Sequence, residues 1–193
     1  MHDLKNTKRL LIVVDMINGF IREGALADRG IEVIIGETVR LTERAIKTGE
    51  PVFAFRDCHR ADSPELETFP PHCMSGTSES ELIDELKPFE ANMTVFEKNS
   101  TSGFVVPAFQ TMLREMRSLE QVVLVGCCTD ICILNFAVPL KNYFNEIDRR
   151  VRVIVPKNAV ETYDMEGHGR GQFNAMAFTL MAQAGVQVLE TIN

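Results

Sequence analysis

The sequence predicts an α/β fold: a three-layer α/β/α sandwich in which helices cover both faces of a central six-stranded parallel sheet. Short apolar, β-branched runs alternate along the chain with longer stretches of helical period. The runs are almost continuously hydrophobic, which is typical of strands that are buried on both faces. No repeat, low-complexity tract or linker interrupts this alternation, so we expect a single domain over residues 1–193.

Six short runs are the candidate strands of this sheet. They are Leu10–Val14, Pro51–Phe55, Met93–Phe96, Val122–Val125, Val151–Val155 and a weaker Val186–Leu189. The first run is too short for a signal-peptide core or a membrane span, and Asp15 follows it at once. We therefore expect a cytoplasmic protein, in which the five cysteines stay reduced.

Five segments between these strands have helical character. They are the apolar stripe Ile31–Ile46, the short acidic Ser78–Leu86, Pro107–Arg117, Ile133–Phe144 and Gln172–Ala184. Pro139 falls inside the fourth of these segments, where a proline should cost about 3 kcal/mol unless the helix kinks.

The balance of charge narrows the choice of partners. Twenty Lys and Arg residues stand against 27 Asp and Glu residues, which gives a formal net charge of −7. An acidic surface disfavours nucleic acid and anionic membranes, so we expect a small-molecule partner and neither of those. Assembly into a homo-oligomer stays open.

Three chemically useful side chains each lie just after a predicted strand. Asp15 could be a helix cap or an ion-pair partner, or it could act as a general base. Lys98 could be a surface charge, or it could pair with Asp15. Cys132 is either a small buried residue or a thiolate whose pKa is lowered by the start of a helix. Together they would form a Cys-Lys-Asp set for acyl transfer through a thioester.

The longest irregular stretch is Arg56–Thr77, and a loop of this length in a compact domain usually has a functional role. Asp57 and His59 are two residues apart and point the same way in an extended segment, and Glu65 and His72 could return to the same point. Such a mixed nitrogen and oxygen set suits Zn²⁺, Fe²⁺ or Mn²⁺, whereas the alternative is a solvated polar loop.

Several motifs resemble one known family. They are LLIVVDMINGF, VFAFRDCH, FPPHCMSGT, FEKNSTSGF and VLVGCCTDIC, in that order. Over nearly its whole length the chain resembles the isochorismatase-like cysteine hydrolases, which have a Rossmann-like fold, and within them the nicotinamidase/pyrazinamidase branch.

The resemblance implies a role for each residue of the Cys-Lys-Asp set. Cys132 would be the nucleophile, Asp15 its base and Lys98 their electrostatic support. The backbone N–H groups of Cys128 and Cys132 would form the oxyanion hole, and the peptide bond between Cys127 and Cys128 would be cis.

The resemblance also implies a metal centre with one divalent ion, Zn²⁺ in the first place and Fe²⁺ or Mn²⁺ as alternatives. Its ligands would be Asp57, His59 and His72, with Glu65 as the fourth ligand and Glu67 as the rival. Two further residues, Phe20 and Phe69, would enclose a pyridine ring. Thr101 stands where some members carry an aromatic ring.

The function implied by the resemblance is hydrolysis of nicotinamide to nicotinate and ammonia in NAD salvage, with pyrazinamide as a second substrate. A metal-independent relative that acts on another small amide is the first alternative. The second is a non-catalytic metal-binding or redox-sensing domain built on the cysteines. We assign no role to His2 or His168.

Overall fold

A computed structural model describes residues 4–192, so His2 lies outside the described residues. Seven strands form one sheet, in which every pairing is parallel. They are β1 (Arg9–Val14), β2 (Val52–Asp57), β3 (Met93–Lys98), β4 (Gln121–Cys127), β5 (Arg152–Pro156), β6 (Val160–Glu161) and β7 (Gln187–Leu189). Their spatial order is β3-β2-β1-β4-β5-β7, and β6 pairs with the end of β4. All six predicted strands are confirmed, and β6 is an addition.

Five α-helices lie within the described part of the chain. They are α1 (Asn18–Ile21), α2 (Ile35–Lys47), α3 (Pro107–Glu115), α4 (Leu134–Glu146) and α5 (Arg170–Gln183). The helices α1 and α2 pack on one face of the sheet, and α3, α4 and α5 pack on the other. The three-layer α/β/α architecture is therefore confirmed.

Strand β1 shows why the hydrophobic runs are continuous. Leu10, Ile12 and Val14 face the layer of α3, α4 and α5, while Leu11 and Val13 face α2. All five side chains are buried because successive residues of a strand point to opposite faces and both faces are covered.

The helix expected over Ser78–Leu86 is wrong, since only Ser78–Ser80 form a short 3₁₀ turn there. The rest of the segment runs beside the β1–α1 connection and bonds to it. Asn18 N–H donates to the carbonyl of Glu81 at 3.0 Å, and Ile83 N–H donates to the carbonyl of Met16 at 3.1 Å. These long-range bonds replace the helical ones while the segment's apolar side chains remain buried.

Pro139 lies inside α4 as the sequence indicates, and the helix continues through it. A proline there cannot donate to the carbonyl four residues earlier, which belongs to Asn135. The hydroxyl of Ser102 donates to that carbonyl at 2.7 Å and replaces the missing bond. In residues 4–192, no helix is long and apolar enough to cross a membrane.

Candidate active site

The sheet order brings the predicted site residues to one edge. Strands β3, β2, β1 and β4 are neighbours, and in a parallel sheet their carboxyl ends meet at the same edge. Asp57 and Lys98 face each other in the register of β2 and β3. Asp15 directly follows β1, and Cys132 lies in the turn that follows β4.

Lys98 is the centre of this cluster. Its Nζ lies 2.9 Å from Asp15 Oδ2, 2.5 Å from Asp57 Oδ1 and 3.8 Å from Cys132 Sγ. The side chain is fully buried, so the interpretation of Lys98 as a surface charge is wrong. One ammonium group therefore faces two carboxylates and a thiol in a dry crevice.

Asp15 occupies an unusual backbone position, with φ of +52°. Such a left-handed conformation costs about 1–3 kcal/mol in a residue other than glycine. It lets the carboxylate turn back over the sheet, where Oδ1 accepts the N–H of Asp57 at 3.0 Å. Burial raises the pKa of Asp15 to about 7 against the opposing effect of Lys98, so near neutral pH this carboxyl can both accept and return a proton.

Cys132 lies in the π-helical turn Thr129–Ile133 just before α4. We expected the helix start to lower the pKa of its thiol, and this expectation is wrong. Burial raises that pKa, and Lys98 only partly opposes the effect. The resting thiol therefore keeps its proton and needs a base, and a carboxylate oxygen of Asp15 lies within 4.8 Å of Cys132 Sγ.

The end of β4 is shaped to approach β1 closely. Gly126 has φ of +117°, and a Cβ atom there would lie 1.9 Å from the carbonyl oxygen of Val14. The thiol of Cys127 donates to the carbonyl of Asp15 at 3.1 Å, and the peptide bond between Cys127 and Cys128 is cis, as the resemblance implies. Only glycine fits position 126, and the strand then passes directly into the turn that carries Cys132.

Beside this cluster, Asp57, His59 and His72 form a second one. One ligand atom from each lies within 4.8 Å of the others, and all three residues are buried. The Nδ1 atom of His59 bonds Asn99 Oδ1 at 3.0 Å, and that of His72 bonds the carbonyl of Pro70 at 2.8 Å. Because both oxygens accept, each Nδ1 donates its N–H, and Nε2 is the ring nitrogen that faces the cluster.

These donors fit a divalent metal ion. His59 Nε2 is buried without a hydrogen-bond partner, which is costly unless a cation fills the space. Hydrogen bonding of the second ring nitrogen to an oxygen is typical of metal-ligating histidines. Asp57 takes part in both clusters, since Oδ1 faces Lys98 and Oδ2 lies 3.6 Å from His59 Nε2 and 3.9 Å from His72 Nε2.

Glu65 stands apart from these three donors. It lies in the 3₁₀ turn Pro64–Glu67 and lines the same cavity, but it is not within the 4.8 Å cluster. Its rival Glu67 is exposed. Burial and the charge of Asp57 raise the pKa of Glu65.

The cavity in front of both clusters has a volume of about 550 Å³. Phe20 and Phe69 line it, and their ring centres lie 5.8 Å and 6.0 Å from that of His72. Thr101 and Cys128 line it as well. The two predicted aromatic residues thus stand where a flat ring bound next to His72 would contact them.

Two segments of the cavity wall were not predicted from the sequence. They are residues 25–28, which follow α1, and residues 163–165, which follow β6. Both lie beyond the carboxyl ends of strands, and that position is the signal that could have found them.

The protein has a parallel α/β fold with a thiol, a lysine and two carboxylates clustered at the carboxyl edge of its sheet. The family model described as "Isochorismatase domain" matches residues 9–193. The chain belongs to this family, and it is an amidohydrolase.

Three similar proteins illustrate the relationship. Nicotinamidase 1 of Arabidopsis thaliana is 32% identical over 175 residues, which cover 82% of this chain and 71% of that protein. The solved nicotinamidase PncA of Bacillus subtilis is 32% identical, with a TM-score of 0.78 over 95% of this chain and all of that one. N-carbamoylsarcosine amidase of Thermoplasma acidophilum is 31% identical, with a TM-score of 0.78 over 97% of this chain and 99% of that chain.

Proposed function

We propose that the chain is a metal-containing nicotinamidase, which hydrolyses nicotinamide to nicotinate and ammonia through a thioester on Cys132. The observation that carries this proposal is the shared cavity of the two clusters. A thiol with its carboxylate and lysine lies next to an imidazole and carboxylate set that suits a divalent ion. The arrangement has room for a ring anchored at one cluster and an amide at the other.

Asp57, His59 and His72 would hold the metal ion, and Zn²⁺ suits two imidazoles and one carboxylate. When bound, the ion would supply an anchor for the pyridine nitrogen of the substrate. Glu65, which lines the same cavity, would be the fourth ligand. Phe20 and Phe69 would contact the pyridine ring of the substrate in the cavity, with its amide toward Cys132.

Acylation begins with the protonated thiol of Cys132. The carboxylate of Asp15 takes the thiol proton, and the sulfur forms a bond to the amide carbon. The backbone N–H groups of Cys128 and Cys132 receive the negative charge that develops on the amide oxygen. Asp15 then gives its proton to the amide nitrogen, the carbon–nitrogen bond breaks and ammonia leaves.

In deacylation, water takes the place of the thiol as the attacking group, and the sulfur of Cys132 is the leaving group. The carboxylate of Asp15 takes a proton from water, whose oxygen bonds to the thioester carbon. The carbon–sulfur bond breaks, the proton returns to the sulfur of Cys132, and nicotinate leaves. Throughout, the ammonium of Lys98 offsets the negative charge that moves between Asp15 and the sulfur.

The cycle needs Cys132 as a free thiol, and all five cysteines are free. We therefore include a reducing, cytoplasmic setting and a role in NAD salvage in the proposal, together with a single catalytic domain across the chain.

A second candidate is a metal-independent amidase of a carbamoyl compound, which the similarity to N-carbamoylsarcosine amidase favours. The orphaned His59 Nε2 opposes it, since an enzyme without a metal gains nothing from that buried donor set. Membership of an amidohydrolase family removes the support for a non-catalytic metal or redox domain.

Ammonia release from nicotinamide, pyrazinamide and N-carbamoylsarcosine separates these candidates. We expect release from the two ring amides, loss of this release after chelation, and recovery when Zn²⁺ is returned. Release from N-carbamoylsarcosine alone, unaffected by chelator, would contradict the proposal.

A further inference from the structure

A hydrogen-bonded pair behind the catalytic turn connects two walls of the cavity. His168 Nε2 lies 2.8 Å from Asp130 Oδ2, and the other oxygen of Asp130 accepts the hydroxyl of Thr162 at 2.5 Å. Asp130 belongs to the π-helical turn, two residues before Cys132. Both oxygens of this carboxylate are therefore committed to residues 162–168.

The ring of His168 is held on every side. It stacks on Tyr163 at 3.8 Å and 7° and on Phe173 at 3.7 Å and 29°, and only 7% of the residue is exposed. Its Nδ1 lies 3.2 Å from the carbonyl of Tyr163. Each ring nitrogen therefore faces an oxygen that can only accept a hydrogen bond, the carboxylate of Asp130 and the carbonyl of Tyr163.

Arg170, at the C-terminal side of residues 162–168, holds this segment in place as well. Arg170 Nη2 lies 2.6 Å from Asp28 Oδ2, and Arg170 Nε donates to the carbonyl of Thr162 at 2.8 Å. Residues 163–165 between these anchors line the cavity, as do Ile131 and Cys132 on the side of the turn. The segment is thus fixed to the loop at Asp28 and to the turn at Asp130.

We propose that Asp130 and His168 are positioning residues that hold the turn Thr129–Ile133 in its catalytic conformation. Within the turn, the carbonyl of Cys128 accepts the N–H groups of Ile131 at 3.2 Å and Ile133 at 3.0 Å, and the bonds of Asp130 add contacts from outside it. Single π-turns of this kind are frequent at functional sites. A displacement of about 1 Å in the reacting group can cost about a hundredfold in rate. The inference rests on the proposed function, because that function makes Cys132 the nucleophile.

Kinetics test the proposal through a split between kcat and KM. His168→Phe keeps an aromatic ring between Tyr163 and Phe173 but removes both ring nitrogens, whereas His168→Gln keeps one donor toward Asp130. With nicotinamide we expect His168→Phe to lower kcat about tenfold while KM stays within about twofold, as for an interaction that matters in the transition state. His168→Gln should recover part of kcat.

Backbone amide exchange gives a second readout that needs no substrate. Peptides covering residues 127–134 should exchange about tenfold faster in His168→Phe, while those of β1 and β2 stay unchanged. Arg149→Gln is the matched control, since it removes hydrogen bonds to the carbonyls of Met116 and Leu119 at the opposite edge of the sheet. It should lower the melting temperature without changing exchange in the turn.

The proposal is overturned if exchange in residues 127–134 is the same in His168→Phe and wild type. It is also overturned if Arg149→Gln accelerates exchange in the turn equally, because the effect would then be general loss of stability. If the wild-type protein does not hydrolyse nicotinamide, the proposed function fails, and the exchange experiment still decides on the positioning pair by itself.

Discussion

Replacement of Lys98 by methionine tests the electrostatic balance of the site. The ammonium lies 2.9 Å from Asp15 and 2.5 Å from Asp57, and its removal leaves two buried carboxylates without a counter-charge. Removal of one partner of a buried ion pair lowers the free energy of unfolding by about 3–5 kcal/mol. In a chain of this size, each kcal/mol lowers the melting temperature by about 2–4 °C, so we expect a decrease of about 6–20 °C.

Thermal unfolding should be followed by circular dichroism in the presence of chelator, so that no bound cation replaces the ammonium. Lys157→Met is the matched control, because Lys157 forms a 2.6 Å ion pair with Glu190 at the surface. An exposed pair is worth about 0–1 kcal/mol, so the control should melt within a few degrees of wild type. The double variant Lys98→Met/Asp15→Asn should regain stability, because it removes one of the stranded charges. Equal melting temperatures of Lys98→Met and Lys157→Met would refute this reasoning.

Three further predictions test separate parts of the structure. Ser102→Ala should lower stability by about 1 kcal/mol in urea unfolding, because the carbonyl of Asn135 loses the hydroxyl that replaces its missing helical bond. Thr179→Ala, whose hydroxyl bonds Ala175 within the regular helix α5, should change stability less. Equal losses would contradict the account of Pro139. Gly126→Ala should destabilise the fold by more than about 3 kcal/mol or abolish soluble expression, since its Cβ would lie 1.9 Å from a backbone oxygen; a stable variant would contradict the close approach of β4 and β1. Asn99→Ala should weaken Zn²⁺ binding in calorimetry about 10- to 100-fold by releasing His59 Nδ1; unchanged affinity would show that this bond does not orient the ligand.

The sequence predicts the sheet well because buried parallel strands are read directly as apolar runs. It fails at Ser78–Leu86, where Leu82, Ile83 and Leu86 have a spacing that a helix would also show. In the structure these side chains are buried by a segment whose backbone bonds run to residues 16–18. Such long-range bonds leave no local signal, so helical periodicity in a short segment is ambiguous.

The site is predictable in its position and less so in its electrostatics. Strand ends converge in a parallel sheet, so the meeting of Asp15, Lys98 and Cys132 follows from topology. The raised pKa of the Cys132 thiol does not follow from it, because burial is a sum over neighbours from several elements. The bridging position of Asp57 depends on side-chain torsions that spacing along the chain cannot specify.

Ammonia release by Cys132→Ala is the most direct test of the proposed chemistry. With Zn²⁺-loaded protein and nicotinamide, we predict that this variant releases ammonia only at the background rate, while it retains the metal and the melting behaviour of wild type. Cys58→Ala, which removes a free and partly exposed thiol, should retain the wild-type rate. Wild-type turnover by Cys132→Ala would contradict a thioester on this residue, and with it the central claim.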